Sequence, residues 1–562
     1  MEKRTILAIV LSVLVFIAFQ WYQQRYMTPP GRTRAPQTAA ESGQQTQAPV
    51  KVPETTPSPA EEIPPGAAAS VADTHAAART VVVDGELYRA AIDSRGALLT
   101  SWGLKKYKSA QGGVFEMIST PHDAGSRPYP STLIFQDAAA TNLANNEPYE
   151  VSLEGASASR LSPPVTVTLK LRRGDLEIEK RYRFEKDNYI FELSATARKG
   201  GKPLEGRLFL AQDIGPEQEH LASTTKLQAV YYSGGKVRRE GPPDDEKEIK
   251  KIGADVRWAG LDMQYFTMIA IPSQELPYFD LQKRSVKARG LDGKQVDRDL
   301  LKLSMPTSGT LQYQIYAGPK KQSDLAAVGS ANITGVIDYG MFEILVIPLL
   351  ASLRWIHQFA NNYGHAIVIL TFLLSLLLFP FRLKQMISMK KMQVVQPKVK
   401  VIQDKYRKYK KTDPKRAEMN QEIMALYKEH NVNPLGGCLP LLLQFPLLIA
   451  FYQLLANSIE LRQAPFMLWI HDLSIKDPYY VLPIIMGVTM FISQKMTPMT
   501  PGTDPTQAKI MMVMPVVFTF MFLNVSSGLN LYFLCSNIFQ VAFQKIAERW
   551  MGDGKSGNAS KS

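Results

Sequence analysis

Apolar and polar positions follow two different rhythms along the chain, and the change from one to the other falls near residue 330. Between residues 80 and 325, short runs alternate with period two: Glu86–Ile92, Val165–Arg172, Leu176–Phe184, Tyr189–Ala197 and Leu311–Tyr316. Side chains that change face at every residue are the mark of a strand. Turn-forming groups separate these runs, among them Asp84-Gly85, Arg173-Gly174-Asp175 and Lys186-Asp187-Asn188. The pattern predicts an antiparallel all-β sandwich domain over 80–325. Ahead of it, residues 6–19 are almost wholly apolar and follow Lys3 and Arg4. They run into Phe19-Gln20-Trp21-Tyr22 rather than a small-x-small cleavage site, and Trp and Tyr suit a membrane interface. Residues 1–27 are therefore read as a cytoplasmic N-terminus with an uncleaved first anchor. Residues 28–79, rich in Pro, Ala, Thr, Gln and Ser, cannot bury a core and are read as a flexible linker.

Beyond residue 330 the rhythm becomes that of membrane spans. No Asp, Glu, Lys or Arg lies between Arg354 and Arg382, and the same holds for 430–459, 478–494 and 510–544. Mainly apolar runs of about 18 residues or more are span candidates. The last run would form a helix of about 52 Å against a hydrocarbon core of about 30 Å, and Asn524–Gly528 supplies a turn within it. Five spans are predicted here, at 364–383, 435–456, 479–495, 509–523 and 528–545, six in all with the anchor. A periplasmic loop at 457–478, a cytoplasmic loop at 496–508 and a basic cytoplasmic tail at 546–562 complete the topology. The apolar stretches 510–523 and 529–544 amount to only about 21 and 24 Å of helix. Either they thin the surrounding bilayer, or each boundary clips a helical turn.

Charge settles one ambiguity. Segment 336–358 is apolar but carries Asp338, Glu343, Pro348 and Arg354. If it crossed the membrane, loop 384–433 would face outward, yet that loop holds 11 Lys and 2 Arg against 5 acidic residues. Such a loop belongs in the cytoplasm. Segment 336–358 is thus read as an amphipathic helix in the outer interface, which leaves both termini inside and the β domain in the periplasm. Loop 384–433 itself has helical spacing, with Met386, Met389 and Met392 on one face and Ile423, Leu426 and Tyr427 on another. Thr412-Asp413-Pro414 divides it into a helical hairpin. The net charge of +14 over 562 residues therefore reflects topology and an anionic lipid surface rather than nucleic acid. The two cysteines, Cys438 and Cys535, lie in apolar runs and are read as packing thiols without a disulfide.

No G-x-x-x-x-G-K-S/T or H-E-x-x-H motif occurs, and the seven histidines are scattered. The chain offers no candidate catalytic residue, metal ligand or cofactor site. The spans do carry polar side chains at intervals: Thr371 and Ser375, Gln444 and Gln453, then Thr489, Ser493, Gln494, Thr519, Asn530, Ser536, Asn537 and Gln540. Singly these suit interhelical hydrogen bonds. Together they suggest a surface that holds water inside the bundle.

Asn433-Pro434-Leu435-Gly436-Gly437-Cys438-Leu439-Pro440 resembles the third-span signature of the YidC/Oxa insertase family, Gram-negative YidC type. Glu460–Phe466, Leu468–Leu473, Asp477-Pro478-Tyr479-Tyr480 and Gly487–Phe491 continue the resemblance, which is close over 335–550. It implies a membrane protein insertase and chaperone of the inner membrane, with a five-helix core and a periplasmic β-supersandwich. It implies a hydrophilic groove open to cytoplasm and lipid. Its clients would be nascent membrane proteins, inserted alone or with the SecYEG/SecDF translocon and without ATP hydrolysis. Thr371, Ser375, Gln444 and Asn530 are the expected groove-hydrating residues, and Tyr532 and Phe533 the client-contacting face. The hairpin and tail are candidates for contact with lipid phosphates, the ribosome or signal recognition particle machinery; as topology determinants alone they would need no partner. The chain departs from the family at Ser375, where the pattern T-x-x-x-R has arginine, and at Ser526, where many members have proline. Arg382, past Pro380, is read as lying at the end of the second span. A transporter, or a scaffold whose β domain binds sugar, are the rival readings, but neither internal repeats nor charges well inside a span support the first.

Overall fold

The computed structural model describes residues 78–109, 112–118, 129–154, 161–216, 227–289, 295–330, 332–409, 413–430, 439–496 and 505–556. The expected anchor, nearly all of the linker, and Cys438 lie outside these.

The N-terminal half is built from three antiparallel sheets. The largest runs in the order Lys236–Glu240, Gln228–Ser233, Trp258–Asp262, Phe266–Pro272, Thr310–Pro319, Ile190–Lys199, Leu176–Phe184, Val165–Arg173 and Glu150–Glu154, with Lys202–Pro203 paired beside it. Leu176–Phe184 pairs along its full length with both neighbours, and every second residue from Leu176 is buried. That alternation is the period-two signal of its sequence made physical. Trp258–Asp262 behaves differently, being buried throughout. At Gly260 a Cβ would collide with the backbone of Met268 on the adjacent strand, so only glycine allows this approach. A four-stranded sheet (Thr80–Asp84, Tyr88–Asp93, Leu98–Lys108, Val114–Glu116) and a five-stranded sheet ordered Lys250–Ile252, Phe279–Arg289, Gln295–Thr307, Gly206–Ala211 and Leu133–Phe135 accompany it. Trp102 joins the first of these to the large sheet. It is fully buried, stacks on Tyr88 at 4.3 Å and meets Phe191 at 4.9 Å, and its indole N–H donates to the Ala317 carbonyl at 2.8 Å.

The C-terminal half is helical: α1 (Glu343–Ala360), α2 (Tyr363–Lys405), α3 (Lys415–Glu429), α4 (Leu439–Asn457), α5 (Val481–Met496), α6 (Pro505–Phe522) and α7 (Ser527–Ser556). Gly340–Ala360 and Tyr363–Lys405 are long and apolar enough to cross a membrane, and Val481–Met496 and Met512–Phe522 are shorter apolar helices. α1 has two apolar faces. Val346, Leu349, Leu350, Leu353 and Ile356 face the protein, whereas Met341, Ile344, Trp355 and Phe359 are exposed around it. α6, 18 residues long, and α7, 30 residues long, both extend beyond the apolar stretches 510–523 and 529–544. The residues that lengthen α6 to about 27 Å include Thr506, Gln507 and Lys509, so its apolar stretch stays short. Hydropathy marks where lipid contact stops, not where helical hydrogen bonding stops.

α2 corrects a second expectation. It runs 43 residues without a break, about 64 Å at standard rise, and contains both Pro380 and Pro397. Pro380 does not end the helix, because a proline costs one ladder hydrogen bond and a kink that surrounding packing can absorb. Arg382 therefore sits in the middle of α2. The distal half of α2 packs on α3 through Met392, Val395, Val399, Ile423 and Tyr427, forming the hairpin.

The two halves meet at the segment following α4. The Arg462 guanidinium lies 5.2 Å from the ring centres of both Phe115 and Phe266 and donates to the Lys108 carbonyl at 2.9 Å. Gln463 and Lys108 exchange hydrogen bonds, Gln264 donates to the Ala456 carbonyl, and Glu460 pairs with Arg354 of α1.

Candidate functional site

The helical bundle contains one pocket of interest, bounded by α2, α4 and α7. It is lined by Thr371, Leu374, Ser375, Leu378 and Arg382 of α2, Gln444 and Leu447 of α4, and Tyr532 and Ser536 of α7, and encloses about 10 Å³, room for about one water molecule. The α2 positions follow from helix geometry. Residues 371, 375, 378 and 382 recur at intervals of four, three and four, the spacing of a single face. The other side of the helix, at Leu373, Leu376, Leu377 and Phe381, is apolar and exposed. A polar wall inside and a greasy surface outside suit a helix with lipid on one side only.

Each polar group has a distinct situation. Thr371, 1% exposed, donates its hydroxyl to the Ile367 carbonyl at 2.6 Å, which leaves only its acceptor capacity for the pocket. Ser375, 4% exposed, makes no hydrogen bond to another described residue. Arg382 points its head into the same space, and its Nη1 is buried without a hydrogen-bond partner. Tyr532 stacks on Phe451 of α4 at 4.2 Å and 11°, which fixes its ring against the pocket.

Four of the six expected site residues thus meet in one place: Thr371, Ser375, Gln444 and Tyr532. Two do not. Asn530 is fully buried and donates to the Phe522 and Val525 carbonyls, closing the turn between α6 and α7. Phe533 packs edge-on against Phe522 at 4.7 Å, away from the pocket lining. Arg382 and Ser536 line the pocket without having been singled out as site residues. Arg382 carried a usable signal, since it lies seven residues, two turns, beyond Ser375 on the same face; reading Pro380 as a helix end hid it.

The segment between α4 and α5 is tied to the starts of α5 and α7 by hydrogen bonds. Asp477, 1% exposed, accepts from the Trp469 indole at 2.9 Å and from the backbone N–H groups of Tyr479 and Leu482. Ser527 and Gly528, at the start of α7, donate backbone N–H groups to the Ile475 and Leu473 carbonyls. At Gly487 a Cβ would collide with the Thr519 hydroxyl, so glycine lets α5 and α6 approach closely. Cys535 is buried and carries a free thiol.

Comparison with known proteins covers both halves. Residues 355–554 match the family described as 60Kd inner membrane protein, and residues 80–352 match the YidC periplasmic domain. A relative named membrane protein insertase YidC, from Geotalea daltonii, is 35% identical over 97% of this chain and 98% of its own length. The chain belongs to the YidC insertase family. A second relative of that name, from Syntrophus aciditrophicus, is 36% identical over 97% of this chain and 99% of its own. A crystal structure described as an active YidC insertase with the first transmembrane domain resolved is 17% identical, with a TM-score of 0.36, over 82% of this chain and 91% of that one. Membership makes this an inner-membrane protein with a β-rich periplasmic domain and a helical insertase region, in a family that is not a class of catalytic enzymes.

Proposed function

We propose that this protein inserts membrane proteins by letting the polar segment of a client pass along the α2–α4–α7 pocket while its apolar span leaves directly into lipid. The observation that carries this reading is the pocket itself, a wall of hydroxyls, an amide and a guanidinium in a bundle whose outer surface is apolar. An Asp, Lys or Arg at the bilayer centre costs about 2.5–3.5 kcal/mol, and each apolar residue returns about 0.3–0.6 kcal/mol. About twenty apolar residues then offset a few polar ones but not a long charged domain. Clients of the protein acting alone have short translocated segments. No nucleotide is needed, because the client's own partitioning or the membrane potential drives the step.

In this reading Thr371, Ser375 and Gln444 hydrate the groove, Tyr532 forms the face along which a client slides, and Asn530 and Phe533 hold the α6–α7 turn in position behind it. Six spans place both termini in the cytoplasm, α1 lies in the outer interface with its Trp355 and Phe359 face toward lipid, and the α2–α3 hairpin receives clients. SecYEG and SecDF, the ribosome, the signal recognition particle machinery and anionic lipids are the partners this arrangement would serve.

The test is complementation of a depleted strain, together with insertion into vesicles holding the full chain and no nucleotide, for wild type, Ser375→Leu and Ser375→Arg. Wild type is expected to work as it stands. Ser375→Leu, which fills and dries the pocket, should slow a client bearing one charge about tenfold, roughly half the cost of a charge at the bilayer centre. A wild-type protein that fails until Ser375→Arg rescues it would contradict the reading.

A further inference from the structure

The loop between α4 and α5 meets the β domain through Arg462 and Gln463, which places it on the periplasmic side. Residues 465–470 of this loop hold no charged side chain. Met467 and Leu468 are exposed there, Leu468 by 73%, and Ile475, Tyr479 and Tyr480 are exposed further along. The β domain is different: among its described residues only Val114, Leu153 and Ile249 are large, apolar and exposed. Exposed apolar groups outside the helices are thus concentrated in the stretch that joins the end of α4 to the start of α5. Such a concentration marks a surface that meets another apolar phase.

The loop is held in one shape. Gln463, Leu468 and Tyr480 have φ of 58°, 56° and 57°, a left-handed backbone that non-glycine residues keep only where their surroundings impose it. At Gly364 a Cβ would collide with the Phe466 ring, so the start of α2 packs directly on the loop. The Phe466 N–H donates to the Ile470 carbonyl at 2.9 Å, and the Ile470 N–H to the Met467 carbonyl at 3.1 Å. A turn that satisfies its own backbone groups in this way can leave water without stranding those donors.

We propose that this loop is a fixed lipid-binding element, whose Met467 and Leu468 tip dips into the outer leaflet of the membrane. The proposal goes beyond the insertion reading and shares with it only the assignment of α4 and α5 as spans. Three observations favour lipid over a protein partner. α5 begins at Val481, directly after exposed Tyr479 and Tyr480, and aromatic residues at the end of a span sit at headgroup level. The exposed apolar series continues along the chain into Ile484, Ile485 and Val488 of α5. Lys476 holds its ammonium 5.8 Å from the Tyr480 ring, the arrangement of a lysine whose stem follows apolar surface while its charge reaches phosphate. The depth is that of an interfacial apolar face, about 5–10 Å, because the rest of the loop's backbone still needs water. A rigid loop seated at that depth fixes the height of the bundle against the outer leaflet.

The experiment uses the full chain with Cys438→Ser and Cys535→Ser, in vesicles of phosphatidylethanolamine and phosphatidylglycerol at a low ratio of protein to lipid. An environment-sensitive fluorophore is attached through Met467→Cys or Leu468→Cys, with Val488→Cys in α5 as the span control and exposed Ser308→Cys in the β domain as the aqueous control. Iodide on both sides of the membrane reports water, and spin-labelled lipids report acyl chain. The probes at 467 and 468 should lose iodide quenching, shift their emission to the blue, and be quenched most by a spin label placed near the headgroup. The probe at 488 should be quenched most by a label near the chain end, and the probe at 308 by iodide alone. Leu468→Glu should restore iodide quenching to a probe at 467 and leave the probe at 488 unchanged. Probes at 467 and 468 as open to iodide as the one at 308 would overturn the proposal. So would protection from iodide without quenching by any lipid label, which would assign the tip to a contact between two copies of the chain. A probe at 488 that no lipid label quenches would remove the span assignment itself, and the proposal with it.

Discussion

Replacing Trp102 with alanine is expected to destabilise the β domain by about 3–5 kcal/mol, the cost typical of emptying a fully buried aromatic site. The size of the effect follows from what the indole connects. It stands on Leu98–Lys108, in the four-stranded sheet, and fills the space between Tyr88, Phe184 and Phe191. Its N–H reaches the Ala317 carbonyl in the large sheet, 215 residues away in sequence. Truncation therefore leaves a cavity and removes a hydrogen bond at the same seam, and neither sheet can close the gap by itself. Trp102→Phe keeps an aromatic ring but loses the N–H, so it should fall between wild type and alanine. Thermal unfolding of the full chain in detergent, followed through the β domain's amide exchange, would check the order. An alanine variant within about 1 kcal/mol of wild type would show that the sheets are held together elsewhere.

A second large effect is expected from pH, through Lys180. Its side chain is fully buried, and Nζ donates to the carbonyls of Gly96 and Ser131 at 2.7 Å each and of Ala97 at 3.3 Å. No carboxylate is among these partners, so burial alone acts on the charge and pushes the pKa down to about 7 from 10.5. Between those values the unfolded chain holds a proton that the folded chain has released. Stability therefore rises with pH across this window, by up to about 1.4 kcal/mol per unit, and is flat below it. Above pH 10 the trend reverses, because burial raises the pKa of Tyr182 and Tyr149, and their unfolded counterparts ionise first. From pH 7 to 9.5 wild type should gain about 3 kcal/mol. Lys180→Met, although less stable at every pH because three carbonyls lose their donor, should show no such gain. Equal slopes for the two proteins would mean that the ammonium is not the group titrating.

The sequence and the structure agree where a physical constraint acts on one face at a time. Leu176–Phe184 has one face in the core and one in water, so its alternation was legible. Trp258–Asp262 and most of Phe266–Pro272 are buried along their length, so period two vanishes and no strand was anticipated there. The hairpin was legible from Ile423 and Tyr427, which do pack against Met392. Span boundaries were less so, because α2 and α7 continue as helices well past the apolar stretch that marks them. Within the site, Thr371, Ser375, Gln444 and Tyr532 were reachable because polar residues in apolar runs are conspicuous. Asn530 was equally conspicuous, yet its amide closes a turn, a use of the same chemistry that spacing cannot distinguish. Reading Pro380 as a helix stop hides Arg382. The face-sharing interval of seven from Ser375 is the stronger guide in a helix that neighbours can support.

The account depends on client chains passing along the α2–α4–α7 pocket. The direct measurement is site-specific photo-crosslinking to a ribosome-stalled membrane protein, with the probe at 371, 375, 444 or 532, and at exposed Ile484 and Val488 of α5 as controls. Strong crosslinks from the first four positions, strongest at 375 and 532 and shifting as the stalled chain lengthens, are the expected result. Crosslinks confined to Ile484 and Val488, with positions 375 and 532 silent at every chain length, would contradict it.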